Sequence, residues 1–577
     1  MSALDWAVLL VYLVAIIAFG LWSGRGNVKI DDFFLAGRQM RWWAVGLSVM
    51  ATQISAITFI GTTGQAYNDG MRFLVVYFGL PFAMVILCLT LVPFFYRAGV
   101  FTAYEYLEKR FDSRTRTLTS LLFLCSRGLS VGVTLYAPSL VLSVLLGWSE
   151  PATILLMGGS TIVYVMYGGN KSVIWTDVAQ MAIIWFGIFL CFGVALAQIP
   201  DTIRFRDALA LAQATGRLRV MDTSPSLSTP YTLWSGVIAG TFLMLSYFGC
   251  DQSQVQRYLS GSSLTQSRLS LLFNAFLKVP MQFLILLTGV LVFVFYHFHE
   301  PPLLWNRVEL AKLERLAPPA ELAQVKARFE AAQAVRRAAA ETYARTRGDA
   351  DAESYRRANA SLEDARRQAI KLLEEVEPAQ AAPSRFGAWL TRVLGIKAAG
   401  YSDTNYIFPT YILTYLPRGL AGLVIAVIFA AAMSTLSGEF NSLATATMVD
   451  FYKRFVHVGG SDAHDLWVSR ALTAFWGAFA CLIALQAGRL GSAIEVVNRF
   501  GSYFYGSILG VFGLAVLTER ASALGAFWGL LAGMATVWLV ATYTSVHFLW
   551  YNVVGALTVF VVGMMLTALR PRETAGA

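Results

Sequence analysis

Ser48-Val-Met-Ala-Thr-Gln-Ile-Ser-Ala-Ile-Thr-Phe-Ile-Gly-Thr-Thr-Gly64 is the centre of an apolar segment of membrane-spanning length, yet hydroxyl, amide and glycine residues sit where a lipid-facing helix wants none. Leu245-Ser-Tyr-Phe-Gly-Cys-Asp-Gln-Ser-Gln-Val-Gln-Arg257 has the same character. Hydropathy gives about thirteen spans: 4–23, 41–68, 74–97, 115–146, 150–168, 174–198, 231–253, 268–298, 418–450, 466–487, 493–516, 522–543 and 546–569. The two unusual ones are the second and the seventh, five spans apart. If spans two to six and seven to eleven are two five-helix repeats, each opens with an interrupted helix. That is the sequence pointer to an inverted-repeat transporter with its site at the membrane midplane. Unwound backbone survives at that depth only where it lines a cavity or is buried in protein. The alternative is two polar spans simply buried by their neighbours.

Composition agrees with a membrane fold. Of 577 residues 56% are hydrophobic and only 14% charged, against roughly 25% in soluble domains, and the mean hydropathy is +0.57. This is an all-α polytopic membrane protein. The net charge of +10 reflects a topology bias rather than a nucleic-acid surface, so no nucleic-acid partner is expected. Arg25, Lys29, Arg38 and Arg41 follow span one, and Arg97, Lys109, Arg110, Arg114 and Arg116 follow span three. These loops, with Lys453, Arg454, Arg570 and Arg572, are assigned to the cytoplasm, giving an outer N-terminus and an inner C-terminus. Arg204, Arg206, Arg217 and Arg219 oppose that assignment. The segment from Leu4 lacks a basic n-region and a cleavage site, so it reads as a retained helix. The five cysteines lie in apolar stretches and read as free thiols.

The expected organisation is an extra helix and cytoplasmic loop (1–40), a first repeat (41–200), the start of the second (201–305), a soluble extracytoplasmic insert (306–400), the rest of the second repeat (401–517) and two final helices (518–577). The insert carries about a third of the charged residues between 306 and 377. Apolar positions at helical spacing flank Arg347-Gly348-Asp349, which predicts an antiparallel helical hairpin, either a solvated spacer or a docking surface for an unknown protein partner.

Three clusters carry candidate chemistry. In the run Ser434-Thr435-Leu-Ser437 of span nine, the hydroxyls at 434 and 437 lie on one helix face at i, i+3 spacing, suited to a hard cation such as sodium or to bonds within their own helix. Asp177 and Gln180 open span six, where the carboxylate serves a cation or proton site or caps the helix. Tyr247, Phe248 and Asp251, with Lys278 in span eight, form either a solute pocket or an ion pair of Asp251 with Arg257 or Lys278. His297, His299 and Glu300 form a weaker metal-site candidate; an interfacial aromatic-rich segment is the simpler reading.

At these residues the sequence resembles the sodium/solute symporter family. The resemblance rests on Asp32-Phe-Phe-Leu-Ala-Gly-Arg38, Ile54-Ser-Ala, Tyr167-Gly-Gly through Gln180, Gln252 through Tyr258-Leu-Ser, and Ala431 through Ser434-Thr435 with Asn441-Ser. It runs from about residue 5 to 517 outside the insert. Thr102 to Phe111, Tyr136-Ala-Pro138 and Phe440 to Ala444 are similar to the monocarboxylate, multivitamin and iodide branch. The resemblance implies a LeuT-like core of two inverted five-helix repeats with alternating access. It implies a sodium site made by the carbonyls of Ala51, Ile54 and Ala431 and the hydroxyls of Ser434 and Thr435. A second sodium, held in some members, would use Asp177, Ser434, Ser437 and the next residue, here Gly438, which lacks the hydroxyl; Gln180 is the substitute oxygen. Solute would meet Gln53, Thr58, Tyr247, Phe248, Lys278 and Asn498. Thr58 replaces the Gln of sugar carriers, which argues against a similar sugar, and Lys278 favours an anion if its charge faces the cavity.

The expectation is therefore a sodium-coupled symporter in the bilayer, of the bacterial inner membrane, importing a small organic solute, with no enzymatic step and no metal beyond sodium. The alternatives are a proton-coupled symporter working through Asp177 and a transporter-like sensor, which the short tail after span thirteen disfavours by leaving no cytoplasmic output domain.

Overall fold

The computed structural model describes residues 1–376, 401–486 and 493–569, with side chains described in the last stretch from 501 onward. Among the described residues, nine helices are long and apolar enough to cross a bilayer, and two shorter apolar helices, Ser235–Cys250 and Gly501–Leu517, join them. Two of the nine exceed any bilayer and contain turns. Ala56–Ala98 is divided by the helical turns at Gly70–Gly79, and Glu150–Ala197 reverses at Gly169. With those two divided at their turns, the described residues give thirteen apolar helical segments.

The helices are numbered along the chain: α1 (Ala3–Ser23), α2 (Ile30–Leu35), α3 (Trp42–Gln53), α4 (Ala56–Asp69), α5 (Leu80–Leu89), α6 (Leu91–Ala98), α7 (Ala103–Arg110), α8 (Ser113–Leu146), α9 (Glu150–Ala197), α10 (Phe205–Ala214), α11 (Gly240–Cys250), α12 (Gln252–Leu259) and α13 (Leu264–Phe298). The insert holds α14 (Arg307–Leu316), α15 (Pro319–Thr346) and α16 (Asp349–Val376). There follow α17 (Thr404–Tyr415), α18 (Leu420–Ala446), α19 (Asp462–Gln486), α20 (Ala493–Leu517), α21 (Ala523–Tyr543) and α22 (Tyr551–Ala568).

Both polar spans are broken where their sequences lose apolar character. Ile54 leaves helical geometry at φ −97°, ψ 74°, and Ser55 restarts the helix by accepting a hydrogen bond from Thr58 N at 3.2 Å. In the seventh span Asp251 is extended, and its carboxylate caps α12 by accepting from Ser253 N at 2.8 Å. Serine and aspartate are strong N-caps, so each break is encoded by the residue that starts the next helix. Met40, just before α3, exchanges backbone bonds with Ser260 and Ser262, just after α12. The start of one broken helix therefore lies beside the end of the other, and the pair runs in opposite directions, as inverted repeats require.

Gly169 joins the two halves of α9 at φ 55°, ψ −155°, a conformation reached essentially by glycine alone, and a Cβ there would lie 2.4 Å from the Phe33 carbonyl oxygen. Gly169→Ala is expected to cost at least about 1–3 kcal/mol, seen as a lowered Tm of the purified protein. Gly159→Ala, where a Cβ meets nothing within 4 Å, serves as the unaffected control.

The two ends of the bundle are closed differently. At one end Asp450 accepts from Arg116 (2.6 Å), Ser120 (2.8 Å) and Thr102 (2.9 Å), tying the end of the α18 segment to α7 and α8. At the other, α15 and α16 pack antiparallel through Leu322, Phe329, Leu362 and Ala369 and rest on the end of α13, where Tyr355 Oη lies 2.7 Å from His297 Nε2. His299 stacks on Phe295, and no group of metal-ligating residues occurs among the described residues.

Candidate ion and solute site

The break between α3 and α4 faces α18. Residues Ala430–Ala432 of α18 are small, which lets the two backbones approach closely. Thr435 Oγ1 lies 3.2 Å from Thr52 O and 3.1 Å from Ala431 O, so its single proton satisfies one of them and its lone pairs stay free. Ala51 O accepts only from Ile54 N, one residue short of the helical partner. Ser434 Oγ is wholly buried beside Asp177 without a hydrogen bond of good geometry. Thr435 thus lies against the backbone at the break, and Ala51, Ile54, Ala431 and Ser434, all buried, are its neighbours along the two helices. An orphaned hydroxyl there is costly unless a cation takes its lone pairs. The donor set, neutral hydroxyls with backbone carbonyls, is hard and oxygen-only, which suits sodium.

Asp177 stands in a different situation. Its Oδ2 accepts from Ser48 Oγ at 2.6 Å and from Arg257 Nη2 at 3.2 Å, while Arg257 Nε also donates to Ser48 Oγ at 2.9 Å. The absence of a Cβ at Gly438 makes room for this guanidinium: a Cβ there would fall 2.1 Å from Arg257 Nη2. The place of the absent side chain is filled by a guanidinium. Ser437 Oγ donates to Ser434 O at 2.9 Å, and Gln180 Oε1 and Asp177 Oδ1 are buried without donors.

Next to the break, a cavity of about 170 Å³ is lined by Gln53 and Thr58 from the first broken span, Tyr247 from the second, and Thr435. Phe248 packs edge-on against Tyr247 rather than on the cavity wall. Lys278 is fully buried behind Gln53, its ammonium 3.4 Å from Gln53 O and 5.2 Å from the Tyr77 ring centroid. The side chain of Asn498 lies outside the described residues.

Three lining residues escape the sequence reading. Arg127 of α8 pairs with Asp251 and, at 3.0 Å, with Glu439 of α18, and it sits 5.6 Å from the ring centroids of both Tyr247 and Tyr505. Tyr505 donates to Asp251 at 2.9 Å. Arg127 Nε and Glu439 Oε2 are buried and unpartnered. The expected pairing of Asp251 with Arg257 or Lys278 is not made. The break turns the Asp251 carboxylate back toward α8, whereas Arg257, six residues into the next segment, points at α3 and α9. A charge inside a span is the available signal for Arg127 and Glu439, since each must find a partner at that depth.

Two broken helices running in opposite directions, buried hydroxyls and carbonyls at one break and an adjoining cavity are the features of a polytopic secondary transporter. Residues 33–300 and 384–533 match the Sodium:solute symporter family, and the chain belongs to that family. Membership carries the function class: a sodium-coupled membrane transporter rather than an enzyme, with sodium and a small solute as cargo. The human sodium/iodide cotransporter is 36% identical over 312 residues, 52% of this chain and 47% of that protein, so the chain matches about half of that relative's length. The human sodium-coupled monocarboxylate transporter 1 is 26% identical over 93% of this chain and 73% of its own length. The sodium/sialic acid symporter NanT of Aliivibrio fischeri is 26% identical over 98% and 93%. In structure, a Na+-coupled sialic acid symporter solved in a substrate-bound outward-open state superimposes with a TM-score of 0.75 at 24% identity, covering 99% of this chain and 98% of that one, which shows a shared fold.

Proposed function

We propose that one sodium ion bound by Ala51, Ile54, Ala431, Ser434 and Thr435 drives import of a small organic anion held in the adjoining cavity. The observation that carries this reading is the Thr435 hydroxyl that bridges α18 to Thr52 O beside the α3/α4 break, with the Ser434 hydroxyl next to it buried and making no hydrogen bond of good geometry. Sodium there bridges the broken span to α18 and so favours one arrangement of the two repeats. Solute bound at Gln53, Thr58 and Tyr247 shares the same break. Coupling is reciprocal, so solute tightens sodium binding by the factor by which sodium tightens solute.

Arg127 Nε offers a donor for a carboxylate, and Glu439 Oε2 offers an acceptor for a hydroxyl or ammonium, so the cavity suits a small carboxylate bearing a donor group. Lys278 and Phe248 act from behind the lining, fixing Gln53 and Tyr247. The anionic solutes in the names of the three relatives point the same way. The orientation follows the basic loops: N-terminus outside, C-terminus inside, in a bacterial inner membrane. Arg217, which counts against that orientation as an outer basic residue, is buried under the insert and does not act as a free loop charge. A thermal-shift screen of small carboxylates, hydroxy acids, sugars and amino acids in sodium against choline tests the class. A sugar stabilising the protein where no acid does would contradict it.

The Asp177, Gln180 and Ser437 cluster is assigned no second sodium. Asp177 is already neutralised by Arg257, and a further cation would leave net positive charge at full burial. Uptake is therefore expected to depend on sodium with a Hill coefficient of about 1. Gly438→Ser is expected to push Arg257 off Asp177 and to depress uptake at every sodium concentration; uptake that rises with a steeper sodium dependence would show that Arg257 blocks a usable second site.

A further inference from the structure

Arg217, Arg336 and Arg366 come together where the hairpin rests on the membrane part, and they are 7%, 0% and 7% exposed. Each is held by a main-chain carbonyl: Arg217 Nε donates to Tyr67 O at 2.8 Å, Arg336 Nη2 to Tyr296 O at 2.5 Å and Arg366 Nη2 to Pro302 O at 2.8 Å. Aromatic rings wall the cluster, with Arg217 3.5 Å from the Phe293 centroid and Arg366 4.7 Å from that of Trp305. Three donors nevertheless remain buried without partners: Arg336 Nε, Arg336 Nη1 and Arg366 Nε.

Guanidinium groups do not shed their protons, so buried ones require a counter-charge. Among the described residues no carboxylate forms an ion pair with any of the three; Glu363 acts on all of them and Asp403 on Arg366 only from a distance. Burial disfavours the charged forms of Arg217 and Arg336, and each is disfavoured further by a cationic neighbour, Arg336 for the first and Arg366 for the second. Asp69 also acts on Arg217 but is shared with Arg72, so four cations face three remote carboxylates; one positive charge and three idle donors remain, pointing to a single monovalent anion.

We propose that Arg336 and Arg366, with Arg217 alongside, bind one halide ion, chloride in the natural setting, which fastens the external hairpin to the outer ends of α4 and α13. The tyrosine and tryptophan rings around it supply a water-poor wall, and the anion completes the hydrogen bonding that the protein leaves open. This site is separate from the sodium and solute site and does not rest on it.

The test is a thermal-shift titration of the purified full chain at fixed sodium, exchanging gluconate for chloride at constant ionic strength. Chloride is expected to raise Tm by about 3 °C or more with saturation, and bromide to do the same. Arg336→Gln is expected to lose the saturable shift while keeping the sodium-dependent one. Absence of a chloride shift in the unaltered protein overturns the proposal, as does an undiminished shift in Arg336→Gln. If Arg336→Gln does not fold, bromide-soaked crystals decide: an anomalous peak within hydrogen-bond distance of Arg336 Nε or Nη1 supports the site, and its absence at saturating bromide overturns it.

Discussion

Ser434→Ala raises the sodium concentration for half-maximal uptake at least about tenfold, and Ser434→Ala with Thr435→Ala removes sodium stimulation altogether. The first figure corresponds to about 1.4 kcal/mol, the loss of one oxygen from a site with few. Neither hydroxyl is a structural necessity: Ser434 makes no hydrogen bond of good geometry, and Thr435 bonds only main-chain carbonyls. Alanine at 434 removes an orphaned polar atom in the sodium-free protein, so Tm of Ser434→Ala without sodium should hold or rise, and the double variant loses at most the one Thr435 hydrogen bond, about 1 kcal/mol. Stability retained while sodium dependence disappears separates an ion-binding role from a packing role. The assay is initial uptake into proteoliposomes across a sodium series at constant ionic strength.

Arg127→Gln is expected to produce the largest loss of stability. It leaves Asp251 and Glu439 buried without a cationic partner, the former keeping only the neutral donors Tyr505 Oη and Ser253 N. Breaking a buried ion pair by removing one partner costs about 3–5 kcal/mol, because the remaining charge stays uncompensated. Uptake is expected to vanish as well, since Arg127 Nε is the donor offered to the solute carboxylate. Arg127→Gln combined with Asp251→Asn and Glu439→Gln removes the stranded charges and should recover most of the Tm. Uptake should stay absent in the combined variant; its return would assign Arg127 a purely structural part.

How much of this was legible in the sequence depends on distance along the chain. The breaks at Ile54 and Asp251 were readable because polar residues at mid-span have no lipid-facing use, and Ser55 and Asp251 are capping residues in place. The hydroxyls of Ser434 and Thr435 are readable as a candidate for the same reason, although only the fold brings Thr435 to Thr52, 383 positions away. Gly438 stood out as a missing hydroxyl. What occupies its place could not be read, because Arg257 reaches it from another helix and its register is set by the break at Asp251. Arg127 is illegible for a related reason. A lone arginine between Ser126 and Gly128 carries no periodic signal, and its partners lie 124 and 312 positions away. The arginines of the insert looked like surface charge in an Ala, Arg and Glu repeat, yet Arg336 and Arg366 lie on the face turned toward α13 and the Trp305 segment.

In the proposed function one sodium ion binds at the α3/α4 break. Equilibrium binding of radioactive sodium to the purified protein tests it without knowledge of the solute. One saturable site per chain, displaced by excess unlabelled sodium and lost in Ser434→Ala/Thr435→Ala while Gly159→Ala retains it, is the predicted result. Saturable binding that persists unchanged in the double variant, or none in the unaltered protein, would contradict the account.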